Sequence, residues 1–184
     1  MTHGSGKKTV FLDRDGTLII DKIYLNDPDQ IVYLPGVFQA LNRLRDAGYQ
    51  FIIVTNQSGV ARGIVSLENL HEIHRRMRLT FAEHGIEFRE IYYAPYSVES
   101  QHPLRKPQPG MLLLGQQECQ ADLSSSWMIG DRLSDVIAGH RAGCKSIFLT
   151  GAEDLQPGAP IEAQPDFIVD NLLQAADRIL SASI

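Results

Sequence analysis

Asp13 and Asp15 stand two residues apart at the end of an apolar run, Val10-Phe11-Leu12, and Gly16 follows at once. Two carboxylates held close repel each other, and burial at a strand end disfavours both charged forms. Acids in that position would cost the fold stability if they served it alone. A bound divalent cation resolves the conflict, because a metal such as Mg²⁺ takes oxygen ligands. The stretch therefore reads as a metal-dependent site with one carboxylate free for covalent chemistry.

Three more polar clusters occupy comparable places. Thr55-Asn56-Gln57-Ser58-Gly59 closes a second apolar run. Arg105-Lys106-Pro107 ends the loop after a third, and Gly130-Asp131-Arg132, with Asp135 just beyond, follows a fourth. The elements that must carry them are strands over 9–12, 50–55, 88–93, 126–129, 145–150 and 167–169. Helices are expected over 37–47, 67–84, 110–119 and 133–142, with a last one near 171–181. Gly48, Gly85 and Gly143 mark helix ends, and Ser66 is placed as an N-cap. Strands alternating with helices predict an α/β fold, a Rossmann-like three-layer arrangement with a central parallel sheet. Ligands of such sheets bind outside the carboxyl ends of the strands, which is where all four clusters fall.

The whole chain narrows the classes. Its 184 residues suffice for one domain with a sizeable core. With 22 acids against 17 bases and no basic stripe, nucleic acid is not an expected partner. No apolar run approaches the roughly 20 residues that span a bilayer. Residues 1–8 are small and polar and read as a flexible tail rather than a secretory signal, leaving 9–184 as a single domain. The expectation is a cytoplasmic monomer. Cys119 and Cys144 read as small buried hydrophobes, not as a disulfide. Residues 151–165, rich in Pro, Gly and Ala, read as a long surface loop. Gly4-Ser5-Gly6-Lys7-Lys8-Thr9 has the wrong spacing for a phosphate loop and precedes a strand instead of following one. His71-Glu72-Ile73-His74 lacks the i, i+4 histidine pair of a zinc protease helix and reads as a helix surface. Trp127 reads as core, inside a buried strand beside the site.

Taken together and in order, Asp13-x-Asp15-Gly16-Thr17, Thr55, Lys106 and Gly130-Asp131-x-x-x-Asp135 resemble the four motifs of the haloacid-dehalogenase (HAD) superfamily phosphatases. The resemblance runs from Phe11 through Thr150. It implies that Asp13 attacks phosphorus and carries an aspartyl-phosphate. Asp15 then protonates the leaving oxygen and later deprotonates water. Gly16 lets the backbone turn away sharply. Thr55 offers its hydroxyl to the phosphoryl oxygens, and Lys106 offsets the charge of phosphate and Asp13. Asp131 completes a Mg²⁺ site with Asp13 and the Asp15 carbonyl. Asp135, one helical turn on, orients Lys106 or a metal-bound water.

Further stretches are similar to one branch, the heptose 1,7-bisphosphate and histidinol-phosphate phosphatases. These are Tyr24-Leu25, Tyr33-Leu34-Pro35-Gly36, residues 55–63 and residues 105–111. The short spans from Asp15 to Leu34 and from Gly63 to Phe88 leave no room for a large cap domain. Selectivity then falls to loops. Arg105 is placed for a second anionic group, and Arg132 joins the phosphate or substrate binders. Asn56, Gln57, Ser58 and Arg62 are placed for sugar hydroxyls or phosphate, though Arg62 reads equally as a solvated loop charge. The resemblance favours removal of the 7-phosphate of a heptose bisphosphate, a step toward lipopolysaccharide precursors. Histidinol phosphate or another small sugar phosphate is the alternative, and a catalytically silent binding module the rival from another class. Many members of the branch hold a structural zinc at positions that here read Ala94, Tyr96, His102 and Leu104. One ligand of four survives, so no structural zinc is expected.

Overall fold

The computed structural model describes residues 6–150 and 160–182. Its first strand, β1 (Thr9–Leu12), is buried at every position, as a central parallel strand must be. It pairs in parallel with β2 (Gln50–Asn56) on one side and β4 (Trp127–Gly130) on the other. With β3 (Phe88–Ala94), β5 (Lys145–Leu149) and β6 (Phe167–Val169) the order is β3-β2-β1-β4-β5-β6, all parallel. Successive strands spread to one side of β1 and then to the other. The direction reverses beside β1, and the crevice of such a sheet opens at that point.

Alternation along the strands feeds two separate cores. Val10, Leu12, Ile53 and Ile129 face α1 (Val37–Asp46), α3 (Leu67–Glu83) and α6 (Leu172–Ala182). Phe11, Ile52, Val54 and Met128 face α4 (Gly110–Cys119) and the side of α5 (Leu133–Ala142) that carries Ala138. Each fully buried Leu, Ile or Phe contributes about 1.5–3 kcal/mol, so both faces hold the strand ends rigidly. The predicted three-layer fold stands, and among the described residues no large cap interrupts it. The chain between β1 and α1 is taken up by isolated bridges, Asp15 with Ile19 and Ile19 with Tyr33, and by a 3-10 turn over Pro28–Gln30.

The predicted elements hold with small shifts. β2 and β3 each run one residue further, to Asn56 and Ala94. Ser66 caps α3 by accepting the Asn69 N–H at 3.1 Å. A short helix, α2 (Ser58–Ala61), was not expected. The tail expected over 1–8 is corrected at its inner end. Lys7 bridges to Ala121, with Lys7 N donating to Gln120 O at 2.8 Å, while residues 1–5 lie outside the described residues. Of the loop expected over 151–165, residues 151–159 also lie outside them; the remainder carries a 3-10 turn, Ile161–Ala163. Trp127 is core, but at the start of β4, away from the carboxyl ends. Among the described residues no helix is long and apolar enough to cross a membrane.

Candidate active site

Lys106 organises the floor of the crevice. Its buried Nζ donates to Asp13 Oδ1 at 2.7 Å and to the Val54 carbonyl at 2.7 Å, and pairs with Asp135 Oδ1 at 2.6 Å. Burial alone would lower the lysine pKa, but the carboxylates of Asp13 and Asp135 overcome it and hold the ammonium charged well above its usual range. Asn56 fixes the lysine backbone from both sides. It donates to Lys106 O and accepts from Lys106 N, each at 3.0 Å. Its side chain thereby positions Lys106. Asp135 sits in the first turn of α5 and accepts the Arg132 N–H at 3.1 Å. Only a glycine at 130 admits it, since a Cβ there would collide with the Asp135 carboxylate.

Asp131 lies beside this pair without a counter-charge of its own at short range. Arg132 Nε is 3.8 Å away, and the buried Asp131 Oδ1 has no hydrogen-bond partner. Burial, and then Asp13 and Asp135, push its carboxyl up to about 8. Carboxylate oxygens of Asp13, Asp131 and Asp135 all lie within 4.8 Å of one another. An orphaned buried oxygen among three hard donors fits a divalent cation such as Mg²⁺. With Asp135 engaged by Lys106, Asp13 and Asp131 are the side chains that would hold it. Gly16 runs past Asp131 at φ 79°, and a Cβ there would strike the Asp131 carboxylate.

Asp15 has a different setting. Arg14 Nε donates to its Oδ2 at 2.9 Å and Nη2 to its Oδ1 at 3.1 Å, while Gln57 Nε2 donates to Oδ2 at 3.0 Å. Burial raises the Asp15 pKa, against the opposing charge of Arg14 and with the help of Asp13. Gln57 also donates to Thr55 Oγ1 at 2.9 Å, so its amide nitrogen links Asp15 to Thr55. Arg14 is 1% exposed, the largest fully buried side chain among the described residues, and was missed from sequence. Its remaining partner is His74 Nε2 at 3.1 Å. His74 is buried, not on a helix surface as expected, and burial followed by the Arg14 charge drops its pKa to about 3. The neutral ring accepts from the guanidinium.

Above this floor opens a cleft of 330 Å³, lined by Asp13, Asp15, Thr55, Asn56, Gln57, Ser58, Arg105, Lys106, Arg132 and Asp135, and at its mouth by Asp21, Ile23 and Tyr24. Arg132 faces the cleft but pairs with Asp21 at 3.1 Å. Arg62 is exposed, with its guanidinium carbon 5.9 Å from the centre of the Tyr24 ring, and it does not line the cleft. Ile23 stands 82% exposed at φ 67°, a conformation unusual for a β-branched residue. Loop 94–110 is tied by its own side chains. The Tyr96 and His102 rings stack 3.5 Å apart, and Leu104 N donates to His102 Nδ1 at 3.2 Å. A methyl, a phenol, an engaged imidazole and an isobutyl group at 94, 96, 102 and 104 do not fit a four-ligand zinc site. A second cluster, Ser146, His140 and Asp166, superficially resembles a hydrolase triad. Both Ser146 Oγ and Asp166 Oδ2 meet the same ring nitrogen, Nε2, at 2.8 and 3.1 Å, and Ser146 is fully buried, so no relay exists there.

Comparison with known proteins places the chain. A family model described as HAD-hydrolase-like matches residues 103–175. The D-glycero-β-D-manno-heptose-1,7-bisphosphate 7-phosphatase of Pasteurella multocida is 36% identical over 176 residues, 90% of this chain and 93% of that protein. The same enzyme of Photorhabdus laumondii is 41% identical over 155 residues, 79% of this chain and 82% of its own. In structure, the D,D-heptose 1,7-bisphosphate phosphatase of B. bronchiseptica, complexed with magnesium and phosphate, superposes with a TM-score of 0.83 at 32% identity. The match covers 95% of this chain and 99% of that one.

Proposed function

The chain belongs to the haloacid-dehalogenase superfamily of phosphatases, and from that premise we propose that it removes the 7-phosphate of D-glycero-D-manno-heptose 1,7-bisphosphate, working as a Mg²⁺-dependent phosphomonoesterase. The observation that carries this reading is the floor: one ammonium between Asp13 and Asp135, with Asp131 left over for a cation. When bound, Mg²⁺ supplies positive charge against the phosphoryl oxygens, the dominant need of phosphoryl transfer.

The residues divide the work. Lys106 holds one Asp13 oxygen, which leaves the other for attack on phosphorus. The Asp13 oxygen–phosphorus bond forms as the phosphorus–sugar oxygen bond breaks, and Asp15 gives its proton to the departing oxygen. Asp15, now a carboxylate, takes a proton from water as that water attacks phosphorus. The bond to Asp13 breaks, inorganic phosphate leaves, and Asp15 is protonated again. The donors from Arg14 and Gln57 stabilise Asp15 in its carboxylate, base form. The Thr55 hydroxyl donates to the oxygens of the phosphoryl group that Asp13 carries, and Lys106 balances its charge. Arg105 and Arg132, on the rim, take the phosphate that is not cleaved, with Ser58 beside the sugar. The same reading makes residues 9–184 one catalytic domain and the protein a cytoplasmic monomer supplying lipopolysaccharide precursors.

Phosphate release across both anomers of the heptose bisphosphate, histidinol phosphate and common hexose phosphates, with and without Mg²⁺, tests it. Preference for a heptose bisphosphate, strict dependence on Mg²⁺ and a loss of about 10⁴-fold or more in Asp13→Asn are expected. Comparable weak rates on every substrate would reject the heptose reading, and retained turnover in Asp13→Asn would reject the nucleophile.

A further inference from the structure

Arg105 is held at both ends by two residues whose rings touch. Its backbone N–H donates to the His102 carbonyl at 2.8 Å, and its Nη1 donates to the Tyr96 carbonyl at 3.1 Å. The Tyr96 and His102 rings lie face to face, with centroids 3.5 Å apart and planes at 16°. Between them the chain makes an exposed 3-10 turn, Val98–Ser100, and passes through Gln101 at φ 47°. The stack therefore closes a small loop whose middle is solvated. Tyr96 and Leu104 anchor that loop by packing against the core beneath α4. Stacked aromatic pairs are worth about 0.5–1.5 kcal/mol beyond their buried area, enough to decide whether so small a loop keeps one shape.

The neighbouring residue is fastened by other means. Lys106 is clamped by Asn56 and by the carboxylates of the floor. Loss of the ring stack thus frees the Arg105 guanidinium without loosening the chemistry one residue away. An arginine whose fork is already oriented loses less entropy on meeting a phosphate than one that must be ordered on binding.

We propose that the Tyr96–His102 stack is a positioning device that sets selectivity for a doubly phosphorylated sugar, by fixing Arg105 on the rim against the phosphate that stays on the substrate. This rests on the heptose bisphosphate reading above. Tyr96 and His102 touch neither the reacting atoms nor the substrate. They act through Arg105.

The test is a comparison of two substrates, heptose 1,7-bisphosphate and heptose 7-phosphate, which lacks the remote group. In Tyr96→Ala, and in His102→Leu as a second way to break the stack, KM for the bisphosphate rises about tenfold, the size of a weakened charge-assisted hydrogen bond. Its kcat, and both constants for heptose 7-phosphate, stay at wild-type values. Tyr96→Phe keeps the stack and behaves as wild type. Equal losses on the two substrates would overturn the proposal, because they mark a merely structural role. No loss in either stack variant, while Arg105→Ala still weakens the bisphosphate, would overturn it too. Arg105→Ala without effect, or no preference for the bisphosphate in the wild type, would instead remove the reading beneath it.

Discussion

The floor and the rim of the cleft are built on different principles. On the floor, Asp13, Lys106, Asp131 and Asp135 are buried and closely coupled, fixed by strand ends and by the first turn of α5. Lys106 and the carboxylates of Asp13 and Asp135 make one another tolerable, whereas Asp131 is raised by those same carboxylates and is the group a cation would balance. On the rim, Arg105, Arg132, Arg62 and Ile23 are partly or fully exposed, held by local contacts such as Asp21 with Arg132 or Tyr96 with Arg105. Losing one contact there loosens one side chain. A floor of mutually dependent charges fixes one reaction, whereas a rim of separate contacts lets each be changed alone. On the proposed function, rim substitutions are expected to alter the choice of substrate and to spare the reaction.

The hardest test of this division is Lys106→Met. It keeps the length of the side chain and removes the charge that holds Asp13 and Asp135 together. Breaking a buried pair leaves uncompensated charge and costs about 3–5 kcal/mol. Stability measured by urea unfolding falls by that order, and phosphate release is lost on heptose bisphosphate and heptose 7-phosphate alike. Selective loss on one of them would mean that Lys106 belongs to the rim, and the division would fail.

The same division explains what the sequence could disclose. Strand ends were legible because residues 10–12 and 127–129 are apolar runs that lead into Asp13 and into Gly130-Asp131. The order of motifs after those runs was enough to group Asp13, Asp15, Thr55, Lys106 and Asp131 around one crevice. Arg14 was not legible, since a charged residue reads as exposed until its partners are known, and one of them, His74, lies 60 positions away. His74 itself sits on a helix whose period alone did not separate its buried face from its solvated one. The internal bonds of Asn56 and Gln57 were not legible for a related reason. A polar residue after a strand looks available to a ligand, and both line the cleft, but one amide also holds the Lys106 backbone and the other links Asp15 to Thr55. Lys7 joined the fold through a bridge to Ala121, and no local pattern announces a partner so distant in sequence.

His74 supplies a test of intermediate size, and it probes how far the buried network extends from the floor. In the folded protein its pKa is lowered to about 3, against an ordinary value of 6.5. A depressed folded-state pKa gives stability that is complete above pH 6.5. That stability is lost as the pH falls toward 3, because the unfolded chain takes up the proton first. Between pH 6.5 and pH 5 the loss is about 2 kcal/mol. His74→Gln retains a neutral acceptor for Arg14 and does not titrate. Urea midpoints across that range therefore drop more steeply for wild type than for the variant. Parallel profiles would show that the ring is not held neutral, and the burial of Arg14 would need another account.

The smallest effect is expected at Arg62, the rim residue whose reading from sequence was evenly divided between ligand contact and solvated charge. It lies over the Tyr24 ring at 5.9 Å, outside the lining of the cleft. An exposed cation–π contact is worth about 0.5–1 kcal/mol, and its loss touches Tyr24 at the mouth before it touches any phosphate. Arg62→Ala should therefore raise KM for the bisphosphate by less than about threefold and leave kcat unchanged. Arg105→Ala on the same substrate gives the larger rise. A loss in Arg62→Ala that matched the loss in Arg105→Ala would make the two arginines a joint phosphate fork. The rim would then be coupled as the floor is, and the contrast between them would narrow to a difference of burial.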